Sequence, residues 1–264
     1  MKFSINCMRL RKLFEKISKM TDECVLDFKP TGLKAEVVDK GMVCLGIFNI
    51  SRDSFSSYDS ISKGELCSVN VTKILKVLQR INGQNDVNLD LTESKIKIKQ
   101  DGRVFTLSQI EVDKEELPSL KELEFDVKVN FSSEEYTKCL KDATIFSTRS
   151  GYDTESDDDT SIVFNSKGNR LYLTAEDEVD SWKADYDAIP KNPEAGMGYG
   201  YALKSIKGEG KARYPLDWLI KSKPKSDWGV ELEMKWKTEC PIEIKYNEDG
   251  IKCKYIIAPR VSDD

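Results

Sequence analysis

The sequence predicts an α+β fold built from two similar domains, because one pattern of strands and turns occurs twice. Residues 86–91 alternate apolar and polar side chains, and residues 92–99 (Thr-Glu-Ser-Lys-Ile-Lys-Ile-Lys) follow them. Residues 228–234 and 238–245 repeat the two segments far along the chain, and the second segment matches at five of eight positions. Self-similarity over a long period is typical of two structural units of one kind joined in tandem.

Turn and helix signals complete each copy of the repeat. An Asp-Gly pair closes each copy, at Asp101-Gly102 and at Asp249-Gly250, and such pairs favour tight hairpins because both residues tolerate positive φ. Apolar residues at helical spacing precede each copy, over residues 71–81 and 215–221. Each domain is therefore predicted to contain a helix followed by three strands joined by turns.

The domain boundaries are predicted from length and composition. A chain of 264 residues accommodates two domains of ordinary size. We expect an N-terminal domain over residues 1–110, an acidic linker over residues 111–125 that contains Pro118, and a C-terminal domain over residues 126–264. The scattered apolar residues of the linker have two interpretations: they attach it to the sheet beneath, or they form one wall of a groove for a partner peptide.

Composition argues against an enzyme. The chain has no histidine, which removes the commonest general base and the commonest neutral metal ligand. Its seven cysteines are scattered without a C-x-x-C pair, so we expect no metal site and no cofactor. An enzyme acting on DNA through carboxylate-bound metal remains the catalytic alternative. No run approaches the roughly 18–20 apolar residues needed to cross a bilayer, so no membrane association is expected.

The charges are unevenly distributed. The net charge is −5, yet four predicted helices and the residues that flank them together carry 15 Lys and Arg against 5 Asp and Glu. The helices cover residues 7–20, residues 71–82, a segment capped by Ser132 and followed by Arg149, and residues 215–221, with Arg213, Lys223 and Lys225 beside the last. The second of them has no acidic residue. Basic helix faces within an acidic chain predict sequence-independent contacts with the phosphates of nucleic acid. The candidate DNA-contacting residues are Arg9, Arg11, Lys12, Lys16, Lys73, Lys76, Arg80, Lys138, Lys141, Arg149 and Lys221.

A series of short motifs, in order along the whole chain, resembles one known family. Residues 28–33 (Phe-Lys-Pro-Thr-Gly-Leu), the Phe-x-x-Tyr of residues 55–58, residues 69–76 and the terminal residues 255–260 (Tyr-Ile-Ile-Ala-Pro-Arg) carry the resemblance. Together they are similar to the DNA sliding clamps of the PCNA type from archaea and eukaryotes. Two departures stand out, since Met42 occupies a position often held by histidine and Ile256 one often held by tyrosine.

The resemblance implies an architecture and a function. Two similar domains of the DNA-clamp fold would place antiparallel sheets outside and four helices on the inner face, and three subunits would close head to tail into a ring. Such a ring is a processivity factor for DNA replication and repair, without enzymatic activity. Its partners would be double-stranded DNA, DNA polymerase, a clamp loader and other proteins with clamp-binding peptides. The alternative is a specialised subunit of a heterotrimeric replication or checkpoint clamp.

The resemblance also implies where the chain meets its partners. Arg11, Lys12 and Lys76 match the basic positions of the family, with Arg149 and Lys221 as equivalents in the second domain. The partner-peptide groove would be formed by Val38, Met42, Val43, Leu45, Leu117, Leu120, Pro241, Ile256, Ala258 and Pro259. Contacts between subunits would involve Phe105, Leu107, Trp182 and Tyr186. A homotrimer is expected, in the cytoplasm or nucleoid of an archaeon or in a eukaryotic nucleus.

Overall fold

The computed structural model describes residues 1–59, 64–111, 123–146, 160–176, 179–188, 203–225 and 229–260. Within them it contains four α-helices and mostly antiparallel strands, which confirms the α+β class. The chain divides into unit 1, Met1–Ser119 with Asn247–Lys254, and unit 2, Leu120–Tyr246 with Tyr255–Asp264. The predicted linker boundaries stay a prediction, because residues 112–122 lie outside the described residues. No described helix is long and apolar enough to span a membrane.

Unit 1 contains two helices and two sets of antiparallel strands. One set has the order β5-β1-β7-β8-β9, and the other the order β4-β3-β2-β6. The elements are β1 (Lys2–Asn6), α1 (Cys7–Ile17), β2 (Glu23–Lys29), β3 (Gly32–Val38), β4 (Cys44–Ser51), β5 (Phe55–Tyr58), β6 (Glu65–Asn70), α2 (Val71–Leu78), β7 (Asp86–Leu91), β8 (Lys95–Gln100) and β9 (Arg103–Ser108).

Unit 2 repeats this organisation. Its strands have the orders β13-β12-β11-β15 and β14-β10-β16-β17-β18. The elements are β10 (Val127–Ser132), α3 (Ser133–Ala143), β11 (Ser161–Lys167), β12 (Arg170–Glu176), β13 (Ser181–Asp187), β14 (Leu203–Lys207), β15 (Gly210–Pro215), α4 (Leu216–Ser222), β16 (Glu231–Trp236), β17 (Ile242–Glu248) and β18 (Ile251–Ile257). The hairpin end of the last two strands, residues 247–254, belongs to unit 1.

The strand register confirms the repeat read from the sequence. Leu89 pairs with Ile98 across β7 and β8, and Met234 pairs with Ile244 across β16 and β17. All four side chains are buried, so the same alternation of apolar residues builds the core in both copies. Both Asp-Gly turns form as predicted, with φ of 49° and 76° in the first and 52° and 81° in the second, as a tight hairpin requires.

Three helices begin at a side-chain cap. Asn6, Asn70 and Ser132 each accept a hydrogen bond from the backbone N–H three residues later, at 3.2, 2.8 and 3.3 Å, which satisfies a donor that the helix itself leaves open. The predicted capping residue Ser132 is confirmed. Pro215, expected inside the first turn, instead precedes it, because α4 begins at Leu216. Helices α1 and α2 both end earlier than their apolar periodicity predicts, at Ile17 and Leu78.

A ladder of ion pairs crosses three neighbouring strands of unit 2, β10, β16 and β17. Glu233 on β16 lies 2.5 Å from Lys128 and 2.9 Å from Lys235, measured between carboxylate oxygen and ammonium nitrogen. Lys235 and Lys245 in turn flank the buried Glu243, at 3.8 and 2.5 Å. Hydrogen bonds from Lys128 and then Lys235 lower the pKa of Glu233 from 4.5 to about 2. The ladder therefore stabilises the sheet only while this carboxylate is ionised.

We expect Glu233→Gln to remove a pH-dependent part of the stability. Because the folded-state pKa lies below the unfolded value, the contribution is complete above pH 4.5 and is lost as the pH falls toward about 2. Solvent screening limits it to about 1 kcal/mol at neutral pH. Urea unfolding of both proteins should show a gap near neutral pH that closes over this range. A gap that does not change with pH would contradict the assignment.

Candidate functional site

Helix α2 presents an open cationic surface in the described part of unit 1. Its apolar side, formed by Val71, Ile74 and Leu78, is buried, and this places its basic side chains in solvent. Lys73 and Lys76 on the helix and Arg80 just after it are all exposed. In the described part of the chain, no carboxylate forms an ion pair with any of these three residues. Their charges are therefore available to an anion from outside.

Two arginines of α1, both predicted to contact DNA, instead donate hydrogen bonds to backbone carbonyl oxygens of the same chain. The guanidinium of Arg11 donates to the carbonyl oxygens of Leu78 and Ile81, the latter at 3.2 Å, and so satisfies the carbonyl end of α2. Arg9 donates from Nε to the carbonyl oxygen of Asp249 at 2.6 Å and from Nη1 to that of Ser54 at 2.7 Å. These contacts explain the two arginines without any nucleic acid.

Lys16 corrects an expectation drawn from helical spacing. Its residue is only 4% exposed, and its ammonium lies 2.6 Å from the carboxylate of Glu248, whose side chain is 2% exposed. A phosphate cannot reach a lysine that is covered in this way. Lys16 is therefore not a DNA contact but half of a buried ion pair that joins α1 to the end of β17.

Lys12, one turn earlier on α1, has a different environment. Its ammonium pairs with the carboxylate of Asp249, and the two side chains are 21% and 51% exposed. The pair therefore lies at the surface, where solvent and other anions compete for both partners. Lys12 stays a candidate DNA contact, in competition with a carboxylate of its own chain.

The candidate residues of unit 2 have acidic neighbours on their own helices. Lys138 on α3 lies 3.4 Å from Glu134 and 3.1 Å from Glu135. Lys221 on α4 lies 2.6 Å from Asp217, with its ammonium 4.4 Å from the centre of the Trp218 ring. Lys141 is exposed on α3, and Arg149 lies outside the described residues. Of the four described helices, α2 alone has no acidic residue.

The predicted groove residues of unit 1 surround the turn between β3 and β4. Asp39 shapes this turn, because its carboxylate accepts the backbone N–H of Cys44 at 2.6 Å and that of Gly41 at 2.9 Å. Met42 is held in the left-handed region with φ of 54° and is 71% exposed. Val43 is half-buried, whereas Val38 and Leu45 are buried. The turn thus offers one large apolar side chain to solvent.

The predicted groove residues of unit 2 lie near the ends of β17 and β18. Pro241, Ala258 and Pro259 are half-buried, and Ile256 is only 6% exposed. Leu117 and Leu120, the predicted contribution of the linker, lie outside the described residues. The peptide groove therefore stays a prediction.

The residues predicted to join subunits lie on two edge strands. β9 ends one sheet of unit 1, and β13 ends one sheet of unit 2, so each leaves one row of backbone groups without a strand partner among the described strands. Phe105, Leu107 and Trp182 are half-buried. Tyr186 already has partners in unit 2: its ring packs on Phe131 at 5.0 Å between centroids, and its hydroxyl donates to Glu135 at 3.1 Å.

Two acidic residues that position the basic ones, Glu248 and Asp249, could not be identified as such from the sequence. Asp249 was identified as a turn residue, yet its contacts with Arg9 and Lys12 bring together positions that are distant in sequence. Glu248 lies beside it and was not singled out. No local pattern marks either contact, although an acidic pair at a hairpin tip indicates that a basic partner could be near.

Comparisons with known proteins agree on one family. Residues 2–131 match the family model described as "Proliferating cell nuclear antigen, N-terminal domain". DNA polymerase sliding clamp 3 of Sulfurisphaera tokodaii is 25% identical over 253 residues, 94% of both chains. The sliding clamp of Thermofilum pendens is 24% identical over 254 residues, again 94% of both.

Solved structures extend the similarity to the whole fold. The structure of A. fulgidus PCNA bound to the C-terminal region of FEN-1 has a TM-score of 0.83 at 22% identity, and the match covers 100% of this chain and 99% of that one. The PCNA2–PCNA3 complex from Sulfolobus tokodaii gives a TM-score of 0.76 at 23% identity, covering 98% and 99%. The similarity thus includes both units.

Proposed function

We propose that this chain is a DNA sliding clamp of the PCNA type, as its family-model match and its relatives support, and that it encircles duplex DNA as a processivity factor. Three copies would close head to tail through the edge strands β9 and β13, with the four helices toward the DNA. A closed ring holds DNA by topology, so the protein needs only weak contacts with phosphates. Such contacts allow sliding because they are independent of base sequence.

The surface of α2 is the observation that carries this proposal. Lys73, Lys76 and Arg80 are exposed, and the helix has no acidic residue, although the chain as a whole has a net charge of −5. Local positive charge in an acidic protein directs an anionic polymer to one face and disfavours the others. Lys12, Lys138, Lys141 and Lys221 would add contacts that their neighbouring carboxylates weaken.

We propose that the clamp tethers polymerase and other replication or repair proteins through the groove predicted around Met42 and Pro259. Of the solved relatives, A. fulgidus PCNA was determined with the C-terminal region of FEN-1 bound. Tethering raises the effective concentration of an enzyme at its DNA substrate without chemistry by the clamp itself. The proposed role is accordingly non-enzymatic and needs no cofactor, and the archaeal relatives favour a cytoplasmic, nucleoid-associated location.

A heterotrimeric clamp is the second candidate. The relative from Sulfurisphaera tokodaii is designated sliding clamp 3, and one matching structure is a PCNA2–PCNA3 complex. In that case the two edges of this chain would each fit a different subunit, and this chain would not close a ring alone.

Solution mass distinguishes the two candidates. Light scattering on a sizing column, over a range of protein concentrations, should show a species of three times 30.1 kDa, about 90 kDa, if the edges of one chain fit each other. A persistent monomer would contradict the homotrimer and favour the heterotrimer. Formation of a 90 kDa species that fails to stay on nicked circular DNA after loading would contradict the clamp function itself.

A further inference from the structure

The two Asp-Gly turns of the repeat have the same backbone but different surroundings. A Cβ placed on Gly102 would meet nothing within 4 Å. A Cβ on Gly250 would lie 3.3 Å from Nε of Arg9 and 3.3 Å from Oγ of Ser54. The second turn is thus seated against the basic face of α1, whereas the first is open. Glu248, Asp249 and Gly250, called the tip here, therefore lie against other parts of the fold, whereas the equivalent first turn does not.

The tip is held by contacts that do not use the Asp249 carboxylate. Arg9 bonds the carbonyl oxygen of Asp249 at 2.6 Å and that of Ser54 at 2.7 Å, so its guanidinium bridges the tip to the segment before β5. Lys16 and Glu248 form a buried pair at 2.6 Å at the base of the tip, where β17 ends. The position of the tip is therefore fixed independently, and the Asp249 carboxylate is placed beside Lys12 as a consequence.

We propose that Asp249 is a built-in competitor of DNA phosphate for Lys12. This inference rests on the proposed function. The carboxylate pairs with Lys12 and is 51% exposed, which places a fixed negative charge where a phosphate would bind the same ammonium. A phosphate must displace it, so the contact forms and breaks easily. The tip would thereby weaken the binding of DNA by α1, while the exposed basic residues of α2 bind phosphates without this competition.

The expected size of the effect follows from the exposure of the pair. Exposed ion pairs are weak, and replacing the carboxylate should strengthen DNA binding by about twofold to fivefold. The suitable variant is Asp249→Asn, because asparagine tolerates the left-handed backbone found here at φ of 52°. It also keeps the carbonyl oxygen that Arg9 uses, so the tip stays seated.

Asp101→Asn is the matched control. It removes one negative charge from the equivalent turn, at φ of 49°, and no ion pair to Asp101 is found among the described residues. Binding of a short fluorescent linear duplex would be followed by anisotropy at low and moderate salt for the wild type, both single variants, Lys12→Met, and Lys12→Met/Asp249→Asn. We expect Asp249→Asn to bind more tightly than Asp101→Asn, and its gain to disappear when Lys12 is replaced.

Three outcomes would overturn the proposal. Equal gains for the two Asp→Asn variants would show a general charge effect. Weaker binding by Asp249→Asn would show that the carboxylate positions Lys12 for DNA. A gain that persists in the Lys12→Met background would exclude Lys12 as the group in competition. Failure of the wild type to bind the duplex at any salt would also overturn this inference, because the competition requires a phosphate contact. The proposed function has a separate test, since a loaded ring that is not retained on nicked circular DNA would overturn that function and this inference with it.

Discussion

Reversing the charges of α2 is expected to weaken DNA binding on the order of 100-fold at low salt, because three phosphate contacts become repulsive. The variant Lys73→Glu/Lys76→Glu/Arg80→Glu changes only exposed side chains, so the fold and the solution mass should be unchanged. Each lost phosphate contact also removes counterion release, so the slope of log affinity against log salt should become shallower by about 3. Anisotropy with a short duplex over a salt series measures both quantities.

A strand of the same unit provides a control with the same change of charge. Lys95, Lys97 and Lys99 alternate on the outward side of β8, and of the three, Lys99 pairs with Asp90 at 3.3 Å. Lys95→Glu/Lys97→Glu/Lys99→Glu should lower the affinity for DNA much less, because in the proposed ring the helices, and not this strand, face the DNA. An equal loss in the two triple variants would indicate that net charge rather than the α2 surface governs binding.

Breaking the pair between Lys16 and Glu248 is expected to lower the free energy of unfolding by about 3–5 kcal/mol. In Lys16→Met the carboxylate of Glu248, whose side chain is 2% exposed, loses the ammonium that lies 2.6 Å from it, and removing one member of a buried ion pair is strongly destabilising. Methionine nearly keeps the length of the lysine side chain, so loss of packing adds little. Urea unfolding at neutral pH, monitored by circular dichroism, gives the difference.

Two further variants separate charge from packing in this prediction. Lys16→Met/Glu248→Met removes both charges, and we expect it to recover most of the stability, since apolar replacement of a buried pair is often neutral. Lys12→Met, one turn earlier on α1, breaks an exposed pair and should change the free energy of unfolding by at most about 1 kcal/mol. A similar loss of unfolding free energy in Lys12→Met and Lys16→Met would contradict the expectation that breaking the buried pair costs more than breaking the exposed one.

The repeat and its helices could be predicted because their determinants are local. Alternation at period two in residues 86–91 and 228–234, Asp-Gly pairs and a capping residue such as Ser132 act over a few positions, and the structure bears them out. The ends of α1 and α2 were less predictable, since apolar periodicity continues beyond the last helical residue. Arg11, which satisfies the carbonyl end of α2 from another helix, cannot be found from such a pattern.

The α+β class, the duplication and the basic character of the helices can be predicted from residue spacing and composition, because these features are local. Which of the basic residues are exposed to solvent depends on the packing of distant segments. Lys12 and Lys16 are equivalent by helical spacing, yet one pairs at the surface with Asp249 and the other is buried with Glu248. Their partners come from a hairpin far along the chain. Whether a charge is exposed depends on what folds over it, which local sequence does not encode.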